Sequence, residues 1–458
     1  MENQDKINPY SFPPGLLGEI GHFIHDAAPR PVCEIALAGA IGLMAGIVGR
    51  AYNVSNTGLN MYVLLLARTG TGKEAISSGV NSLMGVVRER VPAADEFIGP
   101  ASIASSQALI KHLANTSSSL VSVIGEFGIT MQQMAHRGTP IHLLGLKQIL
   151  LDLFNKSGKH NQLRPSIYSD KEKNTKAVLA PAFTLVGEST PESFYDSLSE
   201  QLIADGLLPR FTIIEYFGDR PYRNLDVVSI PEDSLVENLS ALCAHALMLN
   251  QKNEPIDVQL HQLAEIEFNE FDLYADDLIR GNNEVTRQLW NRAHIKALKL
   301  AALAAVGVNP YNPIITFELA LWAIQIEKFN IRSLISRFDS GDVGDFCSEE
   351  KRIQKVINAF VEYVLRPWEE IAVYGAPKHL HSKRILNSTY IQRKLGATKA
   401  FRKDGATQPS QLIAHILKVL IGRGDIQEIQ PHIMLKEHNF RGIGYMLSNP
   451  DLITSNNK

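Results

Sequence analysis

Between about residues 57 and 220 the chain alternates short apolar runs with helix-like segments. The runs are 61–66, 120–124, 182–186 and 211–216, each closed by Gly, Pro, Ser or a charge. Continuous apolar runs, rather than alternating ones, fit strands buried on both faces, so the pattern predicts a parallel sheet between helices. A fifth, weaker run lies near 96–98. A Pro-rich lead-in (Pro9, Pro13, Pro14) and two helix-like segments come first. Residues 232–336 look helical almost throughout, with a strong helical period from 285 to 306. Helices are then expected at 353–365, 388–395 and 410–421. A turn at Gly422 and Gly424 leads to two β-like strings, 425–429 and 442–447. Three helices and a two-stranded wing are the winged variant of helix-turn-helix. The pattern divides the chain into a helical N-terminal segment 1–56, an α/β core 57–230, a helical lid 231–345, a basic winged-helix-like domain 346–447 and a polar tail 448–458 expected to be disordered.

The turn after the first run reads Ala67-Arg-Thr69-Gly70-Thr71-Gly72-Lys73-Glu74 and leads into a helix-like stretch from Ala75. Strand, Gly-rich turn ending in Lys, then helix is the layout of a P-loop. Its backbone N–H groups face phosphates and its lysine neutralises them. Thr69 to Ala75 are the candidate nucleotide contacts. The turn departs from G-x-x-x-x-G-K-[ST] at both ends: Ala67 replaces the first Gly, and Glu74 the hydroxyl that would touch Mg²⁺.

Hydrolysis also needs a carboxylate to polarise water, and commonly an arginine for the γ-phosphate. The second run ends Ile124-Gly125-Glu126, which makes Glu126 the candidate base and leaves Gly125 where a metal-directed Asp would stand. Glu74 and Glu126 are the candidate Mg²⁺ contacts, and a carboxylate at 74 could restore the charge missing at 125. After the third run, Ser189 and Thr190 are candidates to orient water. Thr190-Pro191 equally reads as a helix start. Arg210 precedes the last run, where it could enter a neighbouring subunit's site or pair locally with Asp205 or Glu215. Arg287 and Arg292 stand near the start of the long helical period, and Arg292 could reach the γ-phosphate.

Composition sets limits. The chain has 458 residues, is 45% hydrophobic and 20% charged, and so is globular rather than disordered. The most apolar run, 35–48, is short of the roughly 20 residues a membrane helix needs and reads as a buried helix packed through small residues. Cys33, Cys243 and Cys347 show no metal-like spacing and argue for a reducing compartment. With no basic-then-apolar leader, a cytoplasmic location is expected. Net charge is −3, yet residues 371–424 carry ten Lys/Arg against one Asp, leaving −12 elsewhere. Such asymmetry marks a module with an anionic partner. Arg393, Lys394, Arg402 and Lys403 are its candidate DNA contacts. A second basic, turn-rich stretch holds Lys156, Lys159, His160, Arg164, Lys171 and Lys173.

The ordered set Thr-Gly-Thr-Gly-Lys-Glu, Ile-Gly-Glu-Phe-Gly, Ser-Thr-Pro-Glu-Ser-Phe and Gly-Leu-Leu-Pro-Arg-Phe resembles a family of phage-, plasmid- and prophage-encoded primase/helicase-like P-loop ATPases. Leu207-Leu-Pro-Arg-Phe is more distantly similar to the arginine-finger string of minichromosome-maintenance helicases. The likeness covers roughly residues 10 to 330. It implies a RecA-like or AAA+-like core, ATP and Mg²⁺ as cofactors, and a hexameric ring acting on DNA. Lys73, Glu126 and Arg210 would be phosphate lysine, catalytic glutamate and trans arginine, and the basic stretch from Lys156 a pore hairpin on single-stranded DNA. The alternative is an initiator or regulatory ATPase that binds duplex without unwinding it. Nothing resembling a primase catalytic domain is present.

Overall fold

The computed structural model describes residues 9–135, 138–167, 174–198, 203, 205–339, 349–396, 398–401 and 408–449. Lys171, Lys173, Arg402, Lys403 and the tail from 450 lie outside the described residues. Contacts divide the chain into two compact units, Met1–Ile335 and Ser336–Lys458.

The first unit is mixed α/β. Helices α1 (Leu16–Asp26) and α2 (Cys33–Val48) precede strand β1 (Tyr62–Leu66), helix α3 (Ala75–Arg90) and strand β2 (Ser119–Ile124). Then come α4 (Phe127–Ala135), α5 (Ile141–Lys156), β3 (Ala182–Ser189), α6 (Pro191–Ser197) and β4 (Phe211–Glu215). The sheet is wholly parallel, in the order β2-β3-β1-β4. Beyond β2, the weak run at 96–98 contributes one parallel bridge, Ile98 to Val121, instead of a strand. β3 runs three residues past its expected end. Gly187, Glu188 and Ser189 have poor strand propensity, but the ladder to Leu64, Leu65 and Leu66 holds them extended.

The apolar run at 35–48 is helix α2, buried along all fourteen of those residues and lying on the sheet face. Two glycines make that approach possible. A Cβ on Gly42 would fall 2.3 Å from Val186 Cγ2, and one on Gly46 2.7 Å from Val121 Cβ. No helix among the described residues is long and apolar enough to cross a membrane.

The helical period expected over 285–306 is broken. Glu284–Trp290 is one short helix, Arg292 leaves helical geometry, and α7 (Ala293–Val308) is a second helix. From α7, Lys296 donates to the Phe211 carbonyl at 2.8 Å and Lys299 to Asn60 Oδ1 at 2.9 Å. The helical stretch is thereby fixed to the amino ends of β4 and β1. Lys296 also forms an ion pair with Glu327 at 2.9 Å, both side chains almost fully buried, and Thr212 donates to the same carboxylate.

The second unit holds α8 (Glu349–Leu365), strand β5 (Leu386–Asn387), α9 (Ser388–Leu395), α10 (Pro409–Arg423), β6 (Ile426–Ile429), α11 (Pro431–His438) and β7 (Gly444–Leu447). The expected pair of strands is a three-stranded antiparallel sheet, β5-β7-β6, with α11 inserted between β6 and β7. Its core joins Phe360 and Tyr363 of α8 to Tyr390, Phe401, Ile416 and Leu420.

Candidate nucleotide site

All four strands of the parallel sheet point their carboxyl ends the same way, and ligands of such sheets bind there. The turn after β1 sits at that end. Gly70 and Gly72 have φ of +80° and +98°, which side-chain-bearing residues rarely adopt. At Gly72 a Cβ would also lie 2.7 Å from the Arg30 carbonyl oxygen. Thr71 is buried and folds the turn by donating its hydroxyl to the Arg68 carbonyl at 2.7 Å. The N–H groups of Gly70, Gly72, Lys73 and Glu74 have no acceptor among the described residues. These four N–H groups, the last three of them consecutive and leading into α3, form an anion-binding concavity, while Thr71 N donates to the Arg68 carbonyl.

Lys73 is 9% exposed, and its Nζ lies 3.9 Å from Glu126 Oε1. Glu126 follows β2 after Gly125. It is exposed and has φ of +52°, a left-handed conformation that costs a non-glycine residue energy. Such strain is common where a side chain is aimed at a ligand. Glu74 is exposed at the start of α3, and its backbone carbonyl accepts from Ser78. Ser189 is buried, and its hydroxyl donates to the Thr190 carbonyl at 3.2 Å. Thr190 caps α6, accepting from Ser193 N at 3.2 Å, so the helix-start reading describes its hydroxyl.

Two groups at this end escaped the sequence reading. Glu188, one residue before Ser189, is half-buried, and its Oε1 has no hydrogen-bond partner among the described residues. Burial pushes its carboxyl up to about 7, against the pull of Lys73 and with the push of Glu74 and Glu126. An acid inside an otherwise apolar strand was the available signal. Arg220, on the segment after β4, comes within 3.7 Å of where a Gly70 Cβ would stand. Nothing local in the sequence marks it.

Arg210 is at the opposite end of the sheet, where Tyr62 is level with Phe211. It bonds neither acid weighed for it: Asp205 pairs with Lys147, and Glu215 accepts from Tyr195. Arg210 donates to the Gly206 carbonyl and lies 5.9 Å from the Phe154 ring centre, while its Nε has no partner among the described residues. Burial and then Arg292 lower its pKa. Arg292, one helical turn before Lys296, therefore lies within electrostatic range of Arg210. It is not brought to the P-loop of its own chain.

The basic stretch after α5 forms an antiparallel hairpin, Gln162–Leu163 with Val178–Leu179, extended by Thr175 N donating to Ser166 O. It leaves the sheet at the amino end of β3. Lys159, His160 and Arg164 are exposed and Lys156 is half-buried. In the second unit Arg393 is exposed, whereas Lys394 pairs with Glu362 at 2.7 Å and lies 4.8 Å from the Tyr374 ring.

No family model matches the chain, and no curated protein does. Among solved structures, a full-length MCM homolog from Methanopyrus kandleri is similar at a TM-score of 0.34 and 12% identity, over 69% of this chain and 59% of that one. This chain thus spans less than two thirds of that protein. Fold and function rest on the geometry above rather than on a likeness of that size.

Proposed function

We propose that the chain is an ATP-dependent DNA translocase, a ring helicase that serves the replication of a mobile element. The observation that carries this reading is Lys73 facing Glu126 at 3.9 Å beside a turn with four unpartnered N–H groups. The N–H groups and Lys73 would hold the β- and γ-phosphates. Glu126, with no closer partner among the described residues, would accept a proton from the attacking water. Magnesium, when bound, neutralises phosphate charge. The exposed carboxylates of Glu74 and Glu126 and the unpartnered oxygen of Glu188 fit such a cation.

Arg210 cannot reach that phosphate in its own chain, since the whole length of β1 separates them. An arginine with no ion pair among the described residues, at the edge of the sheet, suits a site completed by the next subunit, as in a hexamer. Arg292, within electrostatic range of it, would take part from the same side. The hairpin at the amino end of β3 would carry Lys156, Lys159, His160 and Arg164 against single-strand phosphates in the channel. The helix–strand–helix–helix–sheet order of the second unit supports the winged-helix reading, with Arg393 toward duplex phosphate.

The test is ATP hydrolysis with and without single-stranded DNA, together with unwinding of a forked duplex. Stimulated hydrolysis and unwinding, both abolished in Lys73→Ala, are expected. Duplex binding without unwinding would replace the helicase with the initiator alternative, which the second unit's architecture favours. Nucleotide binding without turnover would remove the enzyme altogether.

A further inference from the structure

We propose that Glu188 supplies the metal-directed carboxylate that Gly125 lacks, holding Mg²⁺ from the strand next to the one where that acid would stand. The inference rests on reading the P-loop as a triphosphatase site and names a metal contact within it. Three observations carry it.

The first is register. Ile124 pairs with Gly187, so the next step along the same ladder sets Gly125 beside Glu188. Partners in a parallel ladder share a face, about 4.8 Å apart. On its other side Glu188 is level with Leu65, one residue before the P-loop strand ends. A glutamate there stands next to the position an aspartate at 125 would hold, with one more methylene of reach.

The second is an orphaned atom. Glu188 Oε1 is buried and accepts no hydrogen bond among the described residues. A buried carboxylate oxygen without a donor costs free energy, and a cation relieves that cost. The charged groups around it are Lys73, Glu74 and Glu126, all of the P-loop site.

The third is space. A Cβ built on Gly125 meets nothing within 4 Å, so the gap left by the absent acid is open. Among the described residues no three His, Cys, Asp or Glu side chains are close enough to hold a metal on their own. Magnesium commonly binds through one or two carboxylates together with phosphate oxygens and waters. The ion would therefore arrive with the nucleotide. Glu74, to which the sequence alone gave the compensating role, is exposed to solvent and becomes the lesser contact.

The experiment is a Mn²⁺ titration read by electron paramagnetic resonance, on the full chain with and without ADP, beside ADP affinity in EDTA. Expected for Glu188→Gln is about a tenfold loss of Mn²⁺ affinity in the ADP complex with ADP affinity in EDTA unchanged; Glu74→Gln should lose less than twofold. The double variant Gly125→Asp/Glu188→Gln should regain the lost affinity, which a merely misfolded site would not. Wild-type Mn²⁺ affinity in Glu188→Gln overturns the proposal while leaving the P-loop reading intact. Wild-type protein that binds no ADP under any condition overturns both.

Discussion

At the carboxyl ends of the strands, charges of both signs alternate: Lys73 faces Glu126, with Glu188 and Glu74 in its field, and the backbone around them is left-handed or glycine-rich. At the amino ends Lys296 pairs with Glu327, but Arg210, Arg292 and Lys299 form no ion pair among the described residues. Arg292 lies within electrostatic range of Arg210 and Lys299, and Lys299 is buried against Asn60 and the Phe154 carbonyl and ring. Phe154, Tyr62, Phe183 and Phe211 make the surroundings aromatic. On the proposed function, the first end would receive an anion together with its metal. The second holds three cations without an ion pair among the described residues, a state that an anion brought by another chain or strand would relieve. On the proposed function, the two ends would be the complementary halves of a site shared between neighbouring subunits of a ring.

The largest expected effect breaks the comparison at Arg210. If Arg210 serves the neighbour's site, Arg210→Ala lowers kcat about a thousandfold or more and leaves ATP affinity near wild type. Mixing Arg210→Ala with Lys73→Ala subunits, each inactive alone, should restore part of the turnover, because some interfaces then hold both residues. Steady-state hydrolysis of the mixture checks this, and no recovery at any ratio would place Arg210 in a structural role within its own chain.

The next effect concerns the cation at the amino end that does have an acid. Lys296 and Glu327 are buried together, an ion pair rather than a well-aligned hydrogen bond. Removing one partner strands a buried charge, so Lys296→Met should cost about 3–5 kcal/mol in denaturant unfolding. Lys296→Met/Glu327→Leu should recover most of that loss. A double variant no more stable than the single would mean that the bond to the Phe211 carbonyl, not the ion pair, is what matters.

Lys299 sharpens the same contrast through pH. Burial, and then Arg292, bring its ammonium down to about 7 from an ordinary 10.5. Between those values the unfolded chain binds a proton that the folded chain does not, so stability rises as pH goes from about 7 toward 10. The gain is on the order of 2–4 kcal/mol and is absent below the folded value, where both states are charged. Unfolding midpoints across that window should climb in wild type and stay flat in Lys299→Met. Parallel curves would assign the slope to other groups.

How much of this was legible depends on how local each cause is. The P-loop, the acid at 126 and three of the four main strands could be read because each is written in a few consecutive residues. β3 was cut short at Val186, because Gly187, Glu188 and Ser189 are strand only through their partners on β1. Glu188 was missed for the same reason: its importance lies in the ladder beside Gly125, which joins positions more than sixty residues apart. Periodicity predicts a helix near Arg292 without saying which strand ends it meets. The break at Asn291 and Arg292 and the bonds from Lys296 and Lys299 decide that.

The smallest effect separates two neighbouring cations that composition counted alike. Arg393 is exposed on α9, while Lys394 is held by Glu362 and stacked near Tyr374. A lysine already paired has less charge to offer a phosphate, and an exposed arginine releases a full counterion on contact. Arg393→Ala should therefore reduce the slope of log affinity for duplex against log salt by about 0.9, and Lys394→Ala by well under half of that. Lys394→Ala should instead lower the second unit's stability by about 1 kcal/mol, since it leaves Glu362 with Arg366 alone. Equal slopes for the two variants would mean that Lys394 abandons its partner on binding, and the basic surface would then extend across both residues. On the hairpin the same measurement with single strands should fall by about 0.7 for each of Lys159 and Arg164. That result would place the amino end of the sheet, and not only the second unit, in contact with nucleic acid.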